Sequence, residues 1–208
     1  MTDFSKIKKL FNLNSPNGFS ENEIADMLSL VPILPEPLLD YYRELGNYDF
    51  NYWQDRLIKP NQYKDFANDQ YVIICCENQG CCFAGIKKTD LSQKNPPVYF
   101  SIDESHWEIG CGNLIDYIHG FAYSQAALGL PYGGCIDTIY DDNDIEYIRN
   151  NFKSKGILFR NWLVDGDMEI YGGYDDTIML LIAETSLFFA SNSEVHYNET
   201  ANKLNQIS

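Results

Sequence analysis

Ile24, Met27, Leu28 and Val31 recur at helical spacing behind Ser20, and Glu23 stands three residues after that serine. Ser20 with Glu23 predicts a capping box, in which the hydroxyl accepts from a backbone N–H and the carboxylate reaches back. Pro32 and Pro35 end this helix. A second helix is expected over Glu36 to Leu45, opened by Pro37 in its first turn and stopped by Gly46. Upstream, Phe4, Ile7 and Leu10 alternate with Lys6, Lys8 and Lys9, which predicts a short amphipathic helix.

The period then changes. Tyr71 to Glu77 and Cys81 to Ile86 are apolar on both faces, the pattern of strands in a sheet covered on both sides. Asn78, Gln79 and Gly80 between them are turn formers, so a hairpin is expected. Pro97 to Ile102 reads as a third strand with its prolines at the start, where no ladder donor is needed. Asn113 to Leu128 reads as a helix stopped by Gly129 and Pro131, and Asp144 to Phe152 as a shorter one capped by Asn143. Strands follow at Ile157 to Leu163, Met168 to Tyr171, Thr177 to Ala183 and Leu187 to Ala190, with Asp165-Gly166-Asp167 as one hairpin turn. Ser193 is placed to cap a last helix carrying Val195, Tyr197, Ala201, Leu204 and Ile207. Helices, hairpin strands, helix, meander and helix in that order predict an α+β protein, with a mostly antiparallel sheet packed by helices. Residues 1–19 are expected as an N-terminal helical extension and 20–208 as a single domain.

Charge changes the picture more than composition does. Thirty acids against fifteen bases leave −15 over 208 residues. Residues 1–100 hold 13 acids and 10 bases, whereas residues 101–208 hold 17 and 5. A negative field repels nucleic-acid phosphates and speeds encounter with a basic partner. Between Asp137 and Asp176 ten acids stand against four bases, with Tyr140, Tyr171 and Tyr174 interleaved. Asp141, Asp142, Asp144, Asp165, Asp167, Glu169, Asp175 and Asp176, with Tyr171 and Tyr174, are therefore the candidate partner-binding residues, since tyrosines beside carboxylates suit a basic protein surface. Acidic loops with ordinary strand aromatics are the competing reading. No apolar run reaches the length of a membrane span, and Met1 to Phe11 lacks the apolar core of a secretory signal, so no membrane association is expected. Six cysteines without export imply reduced thiols and a cytoplasmic location.

Candidate chemistry is sparse. Cys75-Cys76 and Cys81-Cys82 invite a zinc reading, but strand alternation leaves one cysteine of each pair on a shared face, so core packing is preferred and no metal or cofactor is expected. Cys111, just before the helix start predicted at Asn113, has with His106 or His119 the residue types of a nucleophilic pair, but any chain with six Cys and three His offers such pairs, so packing or surface roles are preferred. Asp141-Asp142-Asn143-Asp144 opens like a calcium loop, yet Glu146 and Phe152 stand where that loop needs Gly and Glu. Phosphate-loop, HExxH and GxSxG patterns are absent.

Leu34-Pro35 followed by Leu38, Tyr41 and Tyr42, then Glu77-Asn78-Gln79-Gly80 with Phe83 and Gly85-Ile86, then Asp90, Pro96-Pro97-Val98 and Trp107, resemble the SUKH superfamily over roughly residues 20 to 205. The sequence departs from it at Ala84, where an aromatic residue is common, and in the long stretch from Leu130 to Gly156. This resemblance implies a SUKH-like α+β domain without catalysis. It also implies a surface for one protein partner, since the superfamily includes fungal regulators of cell-wall assembly and bacterial immunity proteins that neutralise toxins, often nucleases. The expectation is a non-enzymatic immunity-type protein that holds a basic toxin. The alternatives are a regulatory scaffold, a small-ligand sensor with its site beneath the hairpin, or an enzyme with an unrecognised Cys/His or carboxylate site.

Overall fold

The computed structural model describes residues 1–139, 141–160, 166–205 and 207. It is an α+β protein whose strands pair antiparallel in two five-stranded sheets. The chain divides into two compact units, Met1–Phe4 with Ser15–Ile118 and Ser5–Asn14 with His119–Ser208, where sequence reading expected one domain from residue 20.

The first unit begins with helices α2 (Glu21–Leu30) and α3 (Glu36–Glu44). The predicted capping box is present: Glu23 N donates to Ser20 Oγ at 3.3 Å, and Ser20 N donates to Glu23 Oε2 at 2.8 Å. Helix α3 buries Leu38, Leu39, Tyr41 and Tyr42. Phe4 packs edge-on against Tyr41, with ring centroids 5.3 Å apart. Strands β1 (Asp55–Leu57), β2 (Tyr71–Glu77), β3 (Phe83–Lys87), β4 (Val98–Ser101) and β5 (Glu108–Cys111) form a meander in chain order. Every residue of β2 is buried, as its two-sided apolar run predicts. The turn to β3 places Gly80 at φ +76, a conformation that favours glycine. Strand β3 starts at Phe83, so Cys81 lies outside the strand predicted for it and is exposed. Trp107 stacks on Tyr71 at 4.2 Å, directly over Gly85, where an added Cβ would meet the indole ring at 3.1 Å.

Helix α4 (Leu114–Gly129) contributes its first residues, to Ile118, to the first unit and the rest to the second. The second unit also contains α1 (Ser5–Leu10), β6 (Tyr132–Ile136), α5 (Asp142–Asn151), β7 (Lys153–Arg160), β8 (Asp167–Gly172), β9 (Thr177–Ile182), β10 (Ser186–Ser191) and α6 (Glu194–Leu204). Sheet order is β6-β10-β9-β8-β7. On one face Tyr171, Met179, Leu181, Leu187 and Phe189 form a core with Ile145 and Ile148 of α5 and Leu204 of α6. Alternation along the same strands turns Met168, Ile170, Ile178 and Leu180 the other way, and they too are buried. Gly120 of α4 lies so close to Phe159 that a Cβ would meet the ring at 2.6 Å. The N-terminal stretch is no appendage: Ile7 and Leu10 are fully buried, and Asn192 Nδ2 donates to the carbonyl of Leu10.

Two local expectations are corrected. Helix α5 starts at Asp142 with Asp141 as its cap, because Asp141 Oδ1 accepts from Asn143 N at 2.8 Å and Asn143 falls inside the first turn. The strand predicted from Ile157 begins four residues earlier, at Lys153; its predicted end at 161–163 lies outside the described residues.

Candidate functional site

Strand β7 pairs with β8 through a double bulge. Ser154 faces Tyr171 and Leu158 faces Glu169, so four steps along β7 match two along β8. Gly156, at φ +72, absorbs the turn this requires. The displaced backbone opens a cleft of about 640 Å³ lined by Ser154, Gly156 and Ile157 on one side. Asp167, Glu169, Ala183, Glu184 and Arg149 line the remainder.

Arg149, near the end of α5, organises the cleft. Its guanidinium donates to Glu169 through two nitrogens, the Nε bond being 3.2 Å, and to Glu184 through Nη2. Tyr171 donates its hydroxyl to Glu169 from below. The Arg149 hydrogen bonds hold the Glu169 carboxyl below its usual range, while burial, followed by the bond to Glu169, pushes the Tyr171 phenol up to about 12. Glu184 is held in place by a tight β9–β10 connection in which Ala183 and Glu184 both have left-handed backbones, φ +49 and +58. Thr185 N donates to Ile182 O across that turn. Two non-glycine residues in this conformation are strained.

The same end of the sheet gathers further acids. Ile139 N donates to Thr185 O at 2.6 Å and Ser186 Oγ to Asp137 O at 2.7 Å, which ties the segment before α5 to the β9–β10 turn. Ala183 N donates to Asp167 O at 2.9 Å. Exposed Asp137, Asp141, Asp142 and Asp167 thus join Glu169 and Glu184 at one end of the second unit, with Arg149 and Arg160 as the cations beside them.

The sequence-predicted residues therefore separate. Asp167 and Glu169 line the cleft, whereas Asp141 and Asp142 stand at the start of α5, outside its lining. Asp144 is buried in the first turn of α5. Tyr171 is only 4 % exposed and belongs to the core, which removes it as a contact residue; its strand position turns it inward beneath Glu169. Asp175 and Asp176 lie past the opposite end of β8. Asp175 pairs with Lys9 at 3.0 Å, in a neighbourhood that includes Lys153 and Lys155, and the Lys9 bond holds its carboxyl below the usual range. Asp176 accepts from His196 Nδ1 at 2.7 Å, and Tyr174 stacks on that imidazole at 3.9 Å while bonding Glu199. Asp165 and Tyr140 lie outside the described residues. Arg149 and Glu184 were missed; the signal for Glu184 was a hairpin connection lacking the usual Asn-Gly turn residues.

The other candidate chemistry does not assemble. Burial pushes the Cys111 thiol up, the opposite of nucleophile activation, and exposed His106 is bonded to Asp103 at 2.7 Å. His119 is buried in α4 against Tyr123. Among the described residues no group of three or more His, Cys, Asp or Glu side chains is arranged to hold a metal ion, and no helix is long and apolar enough to cross a membrane. No family model, curated protein or solved structure matches the chain.

Proposed function

We propose that the chain is a non-enzymatic binding protein of the immunity or regulatory type, and that it holds a basic protein partner, such as a toxin domain, at the acidic end of its second unit. The observation that carries this reading is the Arg149-braced cleft, lined by the acidic residues Asp167, Glu169 and Glu184 around a single guanidinium. A guanidinium that engages both oxygens of Glu169 and Oε1 of Glu184 fixes the two carboxylates in place, so an incoming Lys or Arg meets a pre-organised acidic site. Exposed Asp141, Asp142 and Asp167 would steer that encounter and contribute mainly to the association rate. The resemblance of the Glu77-Asn78-Gln79-Gly80 hairpin and the Pro96-Pro97-Val98 strand start to the SUKH superfamily supports a partner-holding role.

Affinity capture from the native host supplies the partner, and charge variants test the surface. Replacing Asp141, Asp142 and Asp167 by Asn together is expected to slow association by roughly tenfold at low salt. Asp175→Asn with Asp176→Asn, whose carboxylates are already satisfied within the chain, is expected to change it little. Equal rates for both variants and wild type, or a captured partner with an acidic contact surface, would remove the cleft from the argument.

One observation favours a second reading, a small-ligand sensor. The first unit has a cleft of about 210 Å³ lined by Arg56, Lys59, Tyr52, Phe66 and Cys76. Lys59 lies over the Tyr52 ring at 4.3 Å, and Arg56 reaches Cys76 Sγ at 3.6 Å. Titration calorimetry with small mono- and dicarboxylates would detect such a ligand, and Arg56→Gln would abolish it.

A further inference from the structure

Successive side chains of an extended strand point to opposite faces, which keeps the sulfurs of adjacent cysteines apart. Cys81 and Cys82 escape that rule because β3 does not begin until Phe83. Their Sγ atoms are 3.7 Å apart. Cys81 is exposed at the hairpin, whereas Cys82 is buried behind it. The Cys81 thiol donates to Glu77 Oε2 at 3.3 Å, and that same oxygen accepts from Gln79 N at 2.7 Å, which pins the turn. The neighbouring Cys76 thiol is engaged elsewhere, donating to the Glu77 carbonyl at 3.1 Å.

We propose that Cys81 and Cys82 form a site of reversible oxidation by hydroperoxides, closing to a disulfide between adjacent residues. In the first step the exposed Cys81 sulfur attacks the peroxide: an S–O bond forms, the O–O bond breaks, and the departing oxygen leaves as water with the thiol proton. Glu77 Oε2 is the acceptor beside that proton. In the second step the Cys82 sulfur attacks Cys81, the S–S bond forms, and the S–O bond breaks. The hydroxyl leaves as water with the Cys82 proton. Two thiols are oxidised by two electrons and one hydrogen peroxide is reduced to two waters. Burial, with the Cys81 thiol next to it, pushes the Cys82 thiol up, which makes Cys82 the resolving thiol rather than the first to react. Its contact with Cys81 makes the second step intramolecular and offsets that handicap. Consecutive Cα atoms stand about 3.8 Å apart across a trans peptide, short of the usual span of about 4.4–6.8 Å between disulfide-linked Cα atoms. The bond is therefore strained and easily reduced by thiols, as suits a regulatory rather than a structural disulfide. Closure also removes the S–H donor from the buried Glu77 carboxylate.

The test treats the full chain with a small excess of hydrogen peroxide and digests it after glutamates. Glu77 and Glu104 bracket a peptide that contains Cys81 and Cys82 and no other cysteine. That peptide is expected to lose two hydrogens and to regain them with glutathione, in wild type and in Cys135→Ser, which lacks the other exposed thiol. Cys82→Ala is expected to stop at a Cys81 sulfenic acid trapped by a cyclic diketone, with circular dichroism reporting its fold. If that variant does not fold, Cys81→Ala at the exposed position decides, and loss of peroxide-dependent oxidation at Cys82 is expected. Wild-type Cys81 ending as a sulfinic acid with Cys82 still free, or a disulfide joining Cys81 to any other cysteine, would overturn the proposal.

Discussion

Asn51 is fully buried and makes three hydrogen bonds in the first unit. Its Oδ1 accepts from Tyr41 at 2.6 Å, and its Nδ2 donates to the carbonyls of Leu45 at 2.6 Å and Tyr48 at 3.2 Å. Removing the amide strands the buried Tyr41 phenol and takes one donor each from the carbonyls of Leu45 and Tyr48, which keep backbone partners, so Asn51→Ala is expected to destabilise by about 2 kcal/mol, read as a lower urea midpoint at unchanged slope. Asp55 makes the opposite case. It faces Glu77 across β1 and β2, and burial followed by that neighbour's charge pushes its carboxyl up to about 7. A carboxyl that binds its proton more tightly when folded loses stability as pH rises between its unfolded and folded values. Stability is therefore expected to fall from about pH 4 to about pH 7. Asp55→Asn is expected to flatten that slope and to gain up to about 3 kcal/mol at pH 8 in denaturant titrations. Neither role was legible in the sequence, because both arise from burial and cross-strand neighbours that no local pattern encodes.

Elements with strong local signals were legible. The Ser20 box, the Pro37 start of α3 and the Ser193 cap of α6, whose hydroxyl accepts from His196 N at 3.4 Å, all stand where spacing and capping chemistry put them. Strands β1, β5 and β6 were missed, being three to five residues long. Tyr132-Gly-Gly-Cys-Ile looks like a loop until β10 supplies its ladder. The cleft was legible only in part: its carboxylates were, but the bulge that opens it and the arginine that braces it depend on register. The left-handed pair at the β9–β10 turn carries a prediction of its own. Ala183→Gly is expected to relieve the backbone strain and stabilise by roughly 0.5–1 kcal/mol, raising the thermal midpoint while leaving Glu184 in place.

For the whole molecule, charge and topology matter together. The excess of acids over bases was visible in the sequence, but its distribution was not: several carboxylates are paired with Lys9 and Arg149. What remains is still a net of −15. Screening that self-repulsion is expected to raise the melting temperature by about 3 °C between low and moderate sodium chloride, measured by calorimetry. A fall instead would mean that the internal ion pairs outweigh the repulsion. Division into two units escaped sequence reading because no Pro/Gly-rich linker separates them; the boundary falls inside α4.

The doubled bulge of β7 has one more consequence. An edge strand offers unpaired N–H and C=O groups to any passing chain, and a long flat edge is a template for fibre growth. Lys153 and Lys155 and the left-handed kink at Gly156 break that edge into short, charged pieces. Crowded copies of this protein should therefore resist polymerising through β7. Straightening the kink, by deleting two of the bulged residues, should turn that edge into a seed for aggregation.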